Sequence, residues 1–278
     1  MSNTPKKPLN VIVFVAHPDE AEEYVGGTAA LFVEMGHRVK FVSLTNGDAG
    51  HFRIGGGMLA ERRHKEAMQV KAILGVDYAI LNRHDGELMP TLEVRKYVIR
   101  QTRLWQADIV ITFHPDGSGH ADNRTAGRVV RDASAFMALT PNVVPDVPCL
   151  MKSPVFLLVP DYGARATYRP DLAIATDSVL DKKLRAFAAH ESQFLEFGPW
   201  QQGILDQVPA DPDARLDFLL EYAADSLLAT PKMRPALAKW YGEERAHQIK
   251  YAEAFEIADY GSVPGDDELK HFFPMLGS

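Results

Sequence analysis

The 278-residue chain has a single cysteine, Cys149, which excludes an internal disulfide framework and a cysteine-built zinc site. Any metal must therefore be held by His, Asp, Glu or Asn. Positive charge is also scarce: 30 Lys and Arg stand against 37 Asp and Glu, a formal net charge of −7. A polyanion binder needs a basic face to release counterions, so the balance argues against nucleic acid. No run reaches the roughly 18 uninterrupted apolar residues of a spanning helix, and the opening MSNTPKKPLN lacks the apolar stretch of a signal peptide. The expectation is a cytoplasmic protein without membrane insertion.

A dinucleotide fingerprint is missing too. Gly26-Gly27 closes AHPDEAEEYVGG, where carboxylates stand in place of the backbone N–H groups a pyrophosphate needs. Gly55-Gly56-Gly57 reads as a flexible loop, and Cys149, in the proline-rich TPNVVPDVP region with no His beside it, as an unreactive thiol.

At 46% hydrophobic and 24% charged, the composition is that of a folded globular protein and excludes disorder as its main state. The β-branched run Val11 to Val15 leads through AHPDE into a helical stretch stopped at Gly36, and Arg38 to Leu44 supplies a second strand. The unit recurs as helix Leu59 to Leu74, strand Asp77 to Leu81, helix Thr91 to Trp105, strand Asp108 to Thr112 and a helix opening near Asn123 to Ala126. Such alternation predicts an α/β fold, a Rossmann-like, mostly parallel sheet with helices on both faces. Strands follow at Val155 to Val159 and Leu172 to Ala175, and Asp177 is placed to cap a helix carrying Leu180, Leu184 and Phe187 on one face. From about Asp211 the chain reads as mainly helical, including the polar Glu244 to Ala258. The organisation expected is one domain over residues 1–200 with a helical C-terminal extension, 201–278, packed on it or on a neighbouring subunit of a homo-oligomer.

Ligands of open parallel sheets bind outside the carboxyl ends of the strands. That rule selects His17, Asp19 and Glu20 after the first strand, Thr45, Asn46 and Asp48 after the second, His84 and Asp85 after the third, and His114, Asp116, His120, Asp122 and Asn123 after the fourth. An imidazole and two carboxylates in one loop can ligate a metal through nitrogen and oxygen while sparing a carboxylate for proton transfer. With HPDGSGHADNR as a second cluster, the chemistry expected is metal-assisted hydrolysis. His190, on the helix after Asp177, reads as structural.

AHPDE, then GGTAALFVEMGHRVKFVSLTNGDAGH, ERRHKEA, HPDGSGHADNRTAG and AAHESQF, in that order over roughly residues 10 to 195, resemble the LmbE-like, or PIG-L, family of zinc-dependent N-deacetylases. The resemblance implies zinc at the carboxyl rim, held by His17, Glu20 and Asn123. It implies Asp19 as general base, His120 as the group that stabilises the oxyanion with Asp122 orienting it, and Arg63 and Asp85 beside the substrate. Glu20 stands where the family has Asp, and Asn123 where it has His. A neutral amide is a far weaker zinc ligand than imidazole, so a harder cation, or His114 or Asp116 as substitute ligands, also enters. The function expected is hydrolytic removal of an acyl group from an amino sugar or related small metabolite. The alternative is a metal-poor relative serving as a binding or regulatory protein.

Overall fold

The computed structural model describes residues 7–161 and 167–277; the first six, part of the stretch examined above for a leader, lie outside it. The strands are β1 (Asn10–Val15), β2 (Arg38–Ser43), β3 (Asp77–Ile80), β4 (Ile109–Phe113), β5 (Val155–Val159), β6 (Leu172–Ala175) and β7 (Ala252–Ile257). They form one seven-stranded sheet in the order β3-β2-β1-β4-β5-β7-β6. The first five run parallel, whereas β7 is antiparallel to both β5 and β6. Every residue of β1, β4 and β5 is buried, as expected of strands covered on both faces.

Helices α1 (Glu20–Glu34) and α2 (Gly56–Leu74) pack with the later α5 (Leu180–Ala189), while α3 (Leu92–Trp105) packs with α4 (Ala121–Ser134). The punctuation is largely local. Thr91 caps α3 by accepting the Val94 N–H, and Gly75 closes α2 in the left-handed region. Gly56 and Gly57 begin α2 rather than forming a separate loop. The helix expected near Asn123 starts at Ala121, with His120 at its cap. Asp177 does not cap α5; its carboxylate accepts the Lys250 N–H.

From Gly198 onward come α6 (Gly198–Gln201), α7 (Pro212–Tyr222), α8 (Ala224–Leu227), α9 (Arg234–Tyr241) and α10 (Glu243–Gln248), then β7 and α11 (Asp266–Phe272). The reading of Glu244 to Ala258 as helical is therefore corrected: its second half is β7, inserted into the sheet. The polar residues that suggested a helix are buried with partners. Glu253 accepts the Gly27 and Thr28 N–H groups and pairs with Lys183 at 2.7 Å, and Glu256 accepts the Arg169 N–H. No described helix is long and apolar enough to cross a membrane.

Candidate active site

The strand order reverses between β1 and β4, the place where such sheets bind ligands. There a cleft of about 550 Å³ is lined by His17, Asp19, Glu20, Arg63, Asp85 and His120, with Gln193, Phe197, Gln201 and Gln202 on its outer wall. Residues from the loops after β1 and β3 and from the cap of α4 thus converge.

His17 is 7% exposed, and its two ring nitrogens have different neighbours. Nδ1 lies 3.0 Å from Glu20 Oε1, and Glu20 Oε2 accepts the N–H groups of Ala16 and His17. Glu20 is thereby committed to fixing the loop and the ring. Nε2 is 2.8 Å from Asp85 Oδ1 and 3.7 Å from Asp122 Oδ2, but it makes no hydrogen bond, because Asp85 stands off the direction in which that nitrogen points. Burial alone would lower the imidazole's pKa; Glu20, Asp122 and Asp85 outweigh it and hold the pKa well above its ordinary value. Against its own burial, Asp85 is drawn down to about 2 by His17.

Asp19 occupies the cap position of α1 without capping it, and its φ of 147° is a backbone strain of order 1–3 kcal/mol for a non-glycine residue. Arg63 holds it there. One guanidinium nitrogen donates to Asp19 Oδ1 and to the Pro18 carbonyl, each at 2.7 Å, and the other to the Gly47 carbonyl. Gly47, at φ 67°, is required, since a Cβ would collide with that guanidinium. Burial pushes the Asp19 carboxyl up to about 6, with Arg63 opposing it. A carboxyl so poised can take and return a proton near neutral pH. Arg63, expected beside the substrate, is 2% exposed and clamps the loop.

Asp122 accepts the Gly86 N–H at 2.8 Å and the Leu88 N–H at 3.3 Å, so its carboxylate is tied to the loop after β3 and turned toward His17. It does not bond the His120 ring; the contact between those residues is the Asp122 N–H to His120 Nδ1. His120 is exposed in the cleft, edge-on to His17 with ring centroids 4.8 Å apart. Asn123 is fully buried: its amide nitrogen donates to Asp161, and its Oδ1 makes no hydrogen bond.

His17, Asp85, His120 and Asp122 each present a ligand atom within 4.8 Å of the others. A buried imidazole nitrogen without a hydrogen bond, facing two carboxylates, is a donor set that fits a divalent cation. Of the set implied by the resemblance, His17 belongs to this cluster; Glu20 lies against His17 Nδ1, and Asn123 donates its amide nitrogen to Asp161 while its Oδ1 is buried without a hydrogen bond. His114 and Asp116 stand outside the cluster, the His114 ring accepting the Asp116 N–H.

The sequence reading missed Asp161. It is 2% exposed, accepts the Gly119 N–H at 2.8 Å and the Asn123 amide at 2.9 Å, and burial raises its pKa. It follows β5, so the strand-end rule, carried one strand further, finds it.

The profile of the PIG-L family, described as GlcNAc-PI de-N-acetylase, matches residues 12–134. The diacetylchitobiose deacetylase of Thermococcus kodakarensis is 31% identical over 196 residues, 67% of this chain and 70% of that one. The solved N,N'-diacetylchitobiose deacetylase from Pyrococcus horikoshii, complexed with its inhibitor MPG, aligns with a TM-score of 0.67 at 25% identity, covering 96% of this chain and 91% of that one. A 4-carboxy-2-hydroxymuconate hydratase from Pseudomonas putida aligns with a TM-score of 0.69 over 93% of this chain and 99% of that one; at 19% identity it speaks for the fold alone. The matched residues run from β1 through α4 and so include the loops that carry the cluster: the chain belongs to the PIG-L family of N-deacetylases, hydrolases of carbon–nitrogen bonds other than peptide bonds.

Proposed function

We propose that the protein removes the acetyl group from an N-acetylated amino sugar with the help of a divalent cation, zinc first among candidates. The observation that carries the cation is the buried, hydrogen-bond-free Nε2 of His17 between two aspartates, opening on a cleft beside Asp19. His17, Asp85 and Asp122 would hold the ion, with Glu20 orienting the His17 ring through Nδ1. When bound, the cation supplies Lewis acidity at the amide carbonyl and makes water more acidic. Asp19 takes the proton from the attacking water and returns it to the departing amine. His120, exposed above the cluster, donates to the oxygen that gains charge. Arg63, at the cleft wall, keeps Asp19 in its strained position.

The test is acetate release from N,N'-diacetylchitobiose and N-acetylglucosamine, measured after removal of metal by chelator and after reloading with zinc, manganese or iron. Release restored by at least one cation is expected. No release with any of them overturns the reading.

A further inference from the structure

The chain leaves α5 through a turn wider than an α-helix, Glu191–Phe197, and Gln193 in that turn lines the cleft while remaining only 9% exposed. Turns with i→i+5 hydrogen bonds are rare and gather at functional sites. The side chain this one brings to the cleft is a primary amide.

The neighbours of Gln193 decide which end of that amide is free. Ser192 Oγ lies 2.6 Å from Glu66 Oε2, and a carboxylate accepts only, so the hydroxyl proton goes to Glu66. Toward Gln193, 3.0 Å away, the same oxygen can then only accept. On the other side the Gly50 carbonyl, 3.1 Å from the amide nitrogen, is an acceptor as well. Both neighbours therefore call for the NH2 group, and both of its hydrogens are used. Turning the carboxamide end for end would set its oxygen against two acceptors.

Oε1 is left as the open end. Among the described residues it accepts no hydrogen bond, whereas Nε2 makes two. Its place is defined: a Cβ built on Gly50 would stand 3.7 Å from it, 3.2 Å from the Arg63 guanidinium and 3.5 Å from Asp85 Oδ2. Gln193 Oε1 thus lies on the side of the cleft where Arg63 holds Asp19.

A secondary amide entering the cleft has a donor to place on that side. Its group is planar and trans, so N–H and C=O point in opposite directions. The carbonyl oxygen belongs at the cation cluster and His120, and the nitrogen must lie toward Asp19 to receive a proton. The N–H is thereby turned to the Arg63 wall, where leaving it unpaired and away from water is unfavourable. Gln193 offers an acceptor there, and a neutral one. A further carboxylate in its place would raise the Asp19 pKa again and compete for the same proton.

We propose that Gln193 is a substrate-binding residue whose Oε1 accepts the N–H of the scissile amide, and that it makes the protein prefer N-acyl to O-acyl groups on the same sugar. The inference rests on the deacetylase reading above. An ester has only lone pairs where the amide has its N–H, so acceptor would meet acceptor and Gln193 would stay unpaired. The N–H does not become a better donor as the carbonyl carbon turns tetrahedral, so the contact serves binding more than the chemical step.

The test is a binding cycle on the full chain loaded with zinc, in the Asp19→Asn background that stops turnover. N-acetylglucosamine and 2-O-acetylglucose, which differ by N–H against O, are titrated calorimetrically. With Gln193 in place the amide should bind about tenfold more tightly than the ester, and Gln193→Met should bring that preference to near one. Ser192→Ala, which releases one of the two bonds on Nε2 and leaves Oε1 present, should reduce the preference by about threefold. With Asp19 intact, Gln193→Met should raise KM roughly tenfold for the acetylated sugar the protein hydrolyses, with kcat changed less than about threefold. If wild type releases acetate but the preference persists in Gln193→Met, or both affinities fall together, the role of Gln193 is overturned and the deacetylase stands. If wild type releases acetate from no acetylated sugar and the Asp19→Asn protein binds neither ligand, the functional reading falls first and takes this inference with it.

Discussion

Two histidines in this protein are built almost alike. His17 and His190 are both buried, and each shares one ring nitrogen with a glutamate from the first turn of α1, Glu20 at 3.0 Å and Glu22 at 3.1 Å. Each leaves its other nitrogen without a hydrogen bond. The difference is what that nitrogen faces. For His190 it is Glu66, 4.0 Å away, whose oxygens are already taken by the Ser192 N–H, the Ser192 hydroxyl and Arg62. For His17 it is Asp85 and Asp122, at the floor of an open cleft. A His–Glu pair is thus no signature of a site in itself; further carboxylates and a route to solvent distinguish the reactive pair from the sealed one.

Substitutions can break that contrast. The largest effect is expected outside both pairs, at the proton carrier: Asp19→Asn should lower kcat/KM for deacetylation by roughly 10²–10⁴-fold with the unfolding midpoint little changed. Steady-state kinetics beside a thermal melt measure both, and retained activity removes Asp19 as the base. Next come the groups facing the open nitrogen. Asp85→Asn or Asp122→Asn should abolish stoichiometric zinc binding in calorimetry, whereas Glu20→Gln, one step removed, should weaken it by about 10–100-fold. Equal losses from all three would return Glu20 to the ligand set.

On the sealed side, His190→Leu leaves the buried Glu22 with only the Tyr78 hydroxyl and should cost about 3 kcal/mol, or roughly 6–12 °C in melting temperature, with zinc affinity unchanged. The smallest effect is its pH dependence. Burial alone would lower the pKa of His190, but Glu22, Asp19 and Glu66 raise it above its unfolded value. The stabilisation from the protonated ring is therefore complete below the unfolded pKa of about 6.5 and fades as pH rises through the folded value. The stability gap between wild type and His190→Leu, followed by urea unfolding at increasing pH, should narrow on the alkaline side. A gap independent of pH would mean that the pair is neutral.

How far the sequence discloses this arrangement depends on where each group's partners come from. β1, β2 and β4 are legible because strands covered on both faces are written as continuous apolar runs, and the rim follows once their carboxyl ends are located. β7 is hidden because Glu253 and Glu256 look solvated until Lys183, the N–H groups of α1 and the Arg169 N–H are brought to them from distant segments. The site shows the same division. The residues of the acidic cluster can all be named from their loops, but which carboxylate orients His17 and which ones face its free nitrogen is settled by side-chain directions fixed in three dimensions. Asp161 is placed by its position after β5, but its role is not, since its partners Gly119 and Asn123 lie in another loop.

The place of β7 also bears on how the molecule is made. Every catalytic candidate has left the ribosome well before residue 252, yet until β7 arrives β5 presents an open edge and Lys183 lacks its ion-pair partner Glu253. Closing the sheet is a long-range pairing, the kind of contact that slows folding. Glu253, arriving with β7 to meet both Lys183 and the middle of α1, ties completion of the sheet to the seating of the helix that carries Glu20.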